Sequence, residues 1–214
     1  MSEKHAAPLE ERFHIYDKRT VAVDDFDASG CILDVGGGGE GIIALLKGEQ
    51  VVAVDMSRRE LEEAPDGPLK VVADARDLPF LDRTFDTATA FYTLMYLKSR
   101  SDCAKVLSEV YRVLRREGRL LIWESTVVRP EDTDKPGYVL FLRVRVKGQE
   151  IHTGYGQLWP ERRTMWRFSR ALPWRLDSRS SHRPRRIGCS SSSCGSPSPV
   201  RYAAGVASST KFIN

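Results

Sequence analysis

The sequence predicts an α/β domain built on a mostly parallel sheet with helices on both faces. Three observations predict it. Short apolar runs alternate with helix-patterned stretches between residues 30 and 125. The first run opens directly into a glycine cluster, Gly36-Gly37-Gly38-Gly39. Acidic residues stand at or near the ends of three successive runs, at Asp34, Asp55 and Asp74. Strands alternating with helices imply right-handed crossovers and parallel neighbours. Ligands of such sheets bind at the carboxyl ends of the strands.

Each element has a local reason. Cys31-Ile32-Leu33-Asp34-Val35 is a short apolar run. Residues 40–47 carry Ile42, Ile43, Leu45 and Leu46 on a helical face. Gln50-Val51-Val52-Ala53-Val54-Asp55 is rich in β-branched residues and predicts a second strand. Ser57 caps a short helix that the turn Pro65-Asp66-Gly67-Pro68 ends. Leu69-Lys70-Val71-Val72-Ala73-Asp74 and the run 85–91 predict a third and a fourth strand. Residues 102–116 form the strongest helix pattern, with Val106, Leu107, Val110, Tyr111, Val113 and Leu114 in phase and Gly118 as its stop. Arg119-Leu120-Leu121-Ile122-Trp123 predicts a fifth strand. Residues 9–23, with Phe13, Ile15 and Tyr16, predict a helix over the cleft and place His14 on its surface. Residues 138–146 and 151–158 predict a hairpin.

Composition sets bounds. Of 214 residues, 41% are hydrophobic and 29% charged, as in a soluble globular protein. No apolar run is long enough to span a bilayer, and the start is polar, which predicts a cytoplasmic protein without a membrane partner. The net charge of +4 is uneven: residues 161–214 hold 11 Lys and Arg against 2 Asp and Glu, so the first 160 residues are mildly acidic. A nucleic-acid partner would rest on that basic end alone, and none is expected. Cys31 and Cys103 read as buried thiols. Cys189 and Cys194 lack enough nearby ligands for zinc, so no metal site is predicted.

The chemistry concentrates in Asp34-Val35-Gly36-Gly37-Gly38-Gly39-Glu40-Gly41. Glycines permit a tight turn and close approach of a ligand to the main chain. Gly36, Gly38 and Gly41 fit the G-x-G-x-x-G dinucleotide pattern, while Asp34 to Gly38 also fit D-x-G-x-G. A carboxylate at Asp34 would repel a pyrophosphate and attract a cationic ligand. Asp55 can accept from ribose hydroxyls in either case. Asp74-Ala75-Arg76-Asp77-Leu78-Pro79-Phe80 offers a carboxylate for an adenine amino group and apolar flanks for its ring. Asp55 and Asp74 can equally cap turns, and Asp86 reads as a structural contact to backbone amides. Tyr92, Met95 and Tyr96 read as core or cleft wall. His152 and Tyr155 either reach a substrate or face solvent.

These motifs, with the stretches 85–97 and 113–122, resemble class I S-adenosylmethionine-dependent methyltransferases, the small-molecule type 11 group above all. The resemblance covers residues 29–126. It implies a three-layer Rossmann-like fold, S-adenosyl-L-methionine as cofactor and a small-molecule methyl acceptor. By position, Asp34, Gly36 and Gly38 would hold the methionine end, Asp55 the ribose, and Asp74 and Ala75 the adenine, with Gly37 and Met56 also in the cofactor site. Tyr92 and Thr93 would line the transfer cleft. No catalytic base is implied. Glu40 departs from the pattern, standing where a third glycine is usual, and Arg116-Glu117 replaces the usual Lys-Pro.

The implied domains are an N-terminal helical cap over 1–28, the cofactor-binding core over 29–126, a hairpin or substrate-side insertion over 127–160, and an irregular tail over 161–214. The tail loses all periodicity, which predicts disorder or a shifted reading frame and the loss of the fold's final strands. Two other functions stay open: a non-catalytic nucleoside-binding remnant and an NAD-dependent oxidoreductase.

Overall fold

The structure is a computed structural model, and it describes residues 7–159. The tail over 161–214 with its two cysteines, and with it the expected loss of the fold's final strands, lies outside the described residues.

The chain opens with α1 (Leu9–Arg12) and β1 (His14–Val23). The alternating unit follows: β2 (Ile32–Val35), α2 (Ile42–Lys47), β3 (Val51–Asp55), α3 (Arg58–Glu63), β4 (Leu69–Val72), β5 (Phe85–Phe91), α4 (Arg100–Val113) and β6 (Leu114–Trp123). It ends with β7 (Gly137–Val146) and β8 (Gln149–Leu158). The five strands β4-β3-β2-β5-β6 form one sheet in that order, every pair parallel. The order reverses between β2 and β5, so a crevice opens at the carboxyl ends of those strands. This is the mostly parallel Rossmann-like sheet that the alternation predicts.

Local chemistry explains the elements. All four residues of β2 are buried, as befits a central strand covered on both faces. The Ser57 Oγ accepts the Glu60 N–H and caps α3, and the Ser99 Oγ accepts the Asp102 N–H and caps α4. Cys103, Val106, Val110 and Val113 form the buried stripe of α4. That helix stops at Val113, earlier than its apolar phase predicts, and Gly118 lies inside β6. The sheet explains the early stop: Thr84 N–H donates to Val113 O, and Leu114 pairs with Phe85.

Two apolar layers flank this sheet. One joins Leu33, Val35, Val52 and Val54 to Val106, Val110 and Val113 of α4, with Leu78, Phe80 and Phe85. The other joins Ile32, Val51 and Ala53 to Ile42, Ile43 and Leu46 of α2 and to Leu140, Leu142, Val144 and Val146 of β7.

That second layer corrects the N-terminal reading. Residues 14–23 are a strand, not part of a helical cap. β1 runs parallel to β7 with Thr20 against Arg143, Val21 against Val144 and Val23 against Val146, after an irregularity between Tyr16 and Arg19. Thr20, Val21 and Val23 are β-branched, and a pairing partner more than a hundred residues away outweighs the local helical spacing of Phe13, Ile15 and Tyr16. β8 pairs antiparallel with β7 and completes a three-stranded sheet in the order β1-β7-β8. Among the described residues no helix is long and apolar enough to cross a membrane.

Candidate active site

The parallel register brings the ends of β2, β3, β5 and β6 to one edge, and the candidate site lies there. Asp34 sits within β2, opposite Ala53 and Thr89. It is 2% exposed, and its Oδ1 accepts the Thr89 Oγ–H at 2.6 Å. Burial is the main force that pushes its carboxyl up to about 7; the Thr89 bond pulls it down, and the nearby Asp55 charge raises it.

The glycine turn closes over this carboxylate. Gly36 and Gly37 both donate their N–H to Val54 O, at 2.8 and 3.1 Å, which ties the turn to β3. Gly36 has φ +72°, and a side chain there would collide with Thr93. Gly38 lies against α3: a Cβ would come within 2.5 Å of Glu60 Cβ and 3.0 Å of Asp55 Oδ2. Glycine is required here by close approach, and the space that its missing side chain leaves faces the Asp55 carboxylate.

Asp55 Oδ1 accepts the Ser57 N–H at 2.8 Å, so it does hold a turn. Its Oδ2 faces Gly38. Met56, beside it, is 66% exposed, an apolar side chain offered at the sheet edge. Asp74 Oδ1 accepts the Arg76 N–H at 2.9 Å, again a turn contact. The Arg76 guanidinium also grips the Asp74 carboxylate through Nε and Nη2 and reaches Asp102 at 3.0 Å. These bonds hold the Asp74 carboxyl below the usual carboxylate range. Ala75 is partly buried against the layer that contains Leu78 and Phe80. Asp34 and Asp55 therefore share the glycine turn, whereas Asp74 stands further along the edge with its oxygens held by Arg76.

Tyr92 follows β5 in the left-handed region, φ +51°, with its N–H donating to Trp123 O at 2.8 Å. A non-glycine residue in that region carries strain of about 1–3 kcal/mol, and such residues cluster at ligand sites. Its hydroxyl pairs with Ser125 Oγ at 2.7 Å, and its ring stacks on Tyr155 of β8 at 5.2 Å. Tyr96 meets Tyr155 edge-on at 6.5 Å. Burial pushes the hydroxyls of Tyr92, Tyr96 and Tyr155 up, that of Tyr96 to about 12. His152 pairs instead with Glu150 on the exposed side of the hairpin. Asp86 accepts the Cys31 N–H and pairs with Arg115, a structural contact.

Sequence reasoning missed the roles of three groups. Glu40 accepts from Thr153 Oγ and, at 3.5 Å, from the Tyr155 hydroxyl, so it ties β8 to the glycine turn. Thr89 pairs with Asp34. Glu124 follows β6, and burial pushes its carboxyl up to about 7. Its signal was present: an acid just past a strand, the pattern that marks Asp55 and Asp74.

A parallel five-stranded sheet with a glycine turn over one carboxylate and beside a second defines a nucleoside-binding α/β domain. Residues 33–122 match the family model described as a methyltransferase domain. The ubiquinone/menaquinone biosynthesis C-methyltransferase UbiE of Desulfotalea psychrophila is 38% identical over 107 residues, 46% of this chain and 42% of that protein. The demethylmenaquinone methyltransferase of Thermotoga maritima is 38% identical over 101 residues, 44% of this chain and 42% of that protein. The YcgJ protein of Bacillus subtilis is a solved structure with 31% identity and a TM-score of 0.41, covering 49% of this chain and 47% of that one. The chain thus spans less than half the length of these relatives. Over residues 33–122 it carries a class I S-adenosylmethionine-dependent methyltransferase domain, and S-adenosylmethionine is the cofactor of that class.

Proposed function

We propose that this chain transfers a methyl group from S-adenosylmethionine to a small aromatic acceptor of the phenol or hydroquinone type. One observation carries the cofactor half: Asp55 Oδ2 faces the side-chain-free surface of Gly38, beside a turn that overlies Asp34. That donor set suits the cofactor. A carboxylate accepts from ribose hydroxyls, and two acids near the turn favour a cation over a pyrophosphate. In this reading Gly36, Gly37 and Gly38 hold the methionine end, and Asp34 supplies negative potential from beneath the turn once it ionises, near pH 7. Met56 and Ala75 flank the base. An adenine amino group has to share Asp74 with Arg76.

Two supports favour an aromatic acceptor. Tyr92, Tyr96 and Tyr155 pack together past the end of β5 and offer flat apolar faces with polar tips. The two relatives are named for ubiquinone/menaquinone biosynthesis and for demethylmenaquinone. The cofactor supplies an already activated methyl group, so the chain's task is to bind, orient and keep out water.

Titration of the full chain with S-adenosylmethionine, S-adenosylhomocysteine and NAD tests the cofactor half. The first two bind, NAD does not, and Asp55→Ala weakens S-adenosylhomocysteine by about tenfold to a hundredfold, the range for a hydrogen bond to a charged group. Labelled methyl then moves to 1,4-naphthohydroquinone kept reduced. Absence of S-adenosylhomocysteine binding overturns the cofactor assignment, and binding without transfer to the hydroquinone overturns the acceptor class.

A further inference from the structure

Glu124 is a half-buried acid that the cofactor site leaves unused. It comes directly after β6, at the edge shared by Gly36, Asp55 and Tyr92. Its Oε2 accepts the Met95 N–H at 3.1 Å. Its Oε1 is shut off from solvent, and no described residue hydrogen-bonds to it. Buried polar atoms without partners are rare, because each forfeits its hydration without return. Two other such atoms have ordinary settings: Arg143 Nε lies 3.2 Å from Glu150, and Trp159 Nε1 sits at the last described residue.

Glu124 has tyrosines and one thiol around it, and the nearest charged side chains recorded through them are Arg19, felt by Tyr92, and Glu40, felt by Tyr96. Tyr92 at the end of β5, Tyr96 in the turn after β5, Cys103 of α4 and Tyr138 of β7 each feel its charge. No Lys or Arg figures among the causes of its shift, which burial dominates and backbone donors at Met95, Ser125 and Leu94 partly offset. Two of these tyrosine hydroxyls already have partners: Tyr92 bonds Ser125, and Tyr138 accepts from Gln157.

We propose that Glu124 Oε1 receives the hydroxyl of the methyl acceptor and takes its proton, which makes Glu124 the acceptor-side base of the site. This rests on the proposed methyl transfer to a phenolic or hydroquinone acceptor. The acceptor O–H bond breaks, the proton forms the carboxyl O–H of Glu124, and the electron pair stays on the acceptor oxygen. The ring is thereby made electron-rich where a methyl group must bond. A carboxyl that titrates near 7 suits this task better than an ordinary one, because its proton affinity lies nearer to that of a phenol.

The test is equilibrium binding of 1-naphthol to the full chain saturated with S-adenosylhomocysteine, across the pH interval around 7. The wild type tightens by about tenfold as the carboxyl ionises, the worth of one charge-assisted hydrogen bond. Glu124→Gln binds S-adenosylhomocysteine unchanged, holds naphthol about tenfold more weakly at high pH, and shows no pH dependence of that affinity. Asp34 titrates in the same interval, but it remains in the variant, so a pH dependence that survives in Glu124→Gln belongs to Asp34 and overturns the assignment. A flat wild-type profile, or no naphthol binding by protein that binds S-adenosylhomocysteine, overturns it as well and needs no variant to fold. Failure to bind S-adenosylhomocysteine at all strikes the underlying function instead.

Discussion

Asp34 is 2% exposed, lies under the glycine turn, and keeps one hydrogen bond, from Thr89. Its carboxyl is raised from an ordinary 3.8 to about 7. Between those values the unfolded chain has lost the proton and the folded chain keeps it. The folded state then binds more protons, so stability falls as pH rises from about 4 to about 7 and stays at its reduced level above that. Asp34→Asn keeps an oxygen to accept from Thr89 and has no charge to bury. The variant is expected to gain on the wild type by about 1.4 kcal/mol per pH unit across that window, to a total of roughly 2–4 kcal/mol, and then to run parallel to it. Urea unfolding at several pH values measures this. A constant offset between the two curves at all pH values would show that burial does not hold the carboxyl protonated. The wild type thus gives up stability to keep an acid at this place, as functional sites commonly do.

β8 is held over the glycine turn by one residue that breaks the family's pattern. Glu40 accepts from both Thr153 and Tyr155, and Tyr155 in turn stacks on Tyr92. Restoring the usual glycine with Glu40→Gly therefore removes the acceptor for two partly buried hydroxyls. The expected loss is about 1–3 kcal/mol, read as a lower midpoint of thermal unfolding. A gain in stability would mean that the link is incidental. Nothing near Glu40 in the chain announces this role, because Thr153 and Tyr155 lie more than a hundred residues away. The same distance hid β1, whose partner β7 is equally remote. By contrast β2, β3 and β5 were legible because each is a short run of β-branched and small apolar residues that must be buried on both faces. Asp34 and Asp55 were legible for a related reason: an acid at a buried strand's end, next to glycines, has few structural uses. Asp74 was legible as an acid but not as a group gripped by Arg76, since spacing along the chain says nothing of where a long cationic side chain folds back.

The two sheets share one apolar layer, and that decides how the molecule responds to a ligand. Ile42, Ile43 and Leu46 of α2 touch one continuous cluster with Val51 and Ala53 of β3 on one side and Leu140, Leu142 and Val144 of β7 on the other. Those β7 residues are fully buried, so β7 cannot leave without exposing the face that supports the glycine turn. A ligand bound at the carboxyl edge of β2 and β3 therefore stabilises both sheets together. At a free concentration of about a hundred times its dissociation constant, S-adenosylhomocysteine adds roughly 2.7 kcal/mol to global stability. Core amides that exchange by global unfolding should slow by about a hundredfold, at Val52 and Val54 in β3 and equally at Leu140, Leu142 and Val144 in β7. Hydrogen exchange of the full chain with and without the ligand reads both sets at once. Slowing confined to β3 would mean that the second sheet opens by itself, and the shared layer would then be a contact between two separate folding units instead of one core.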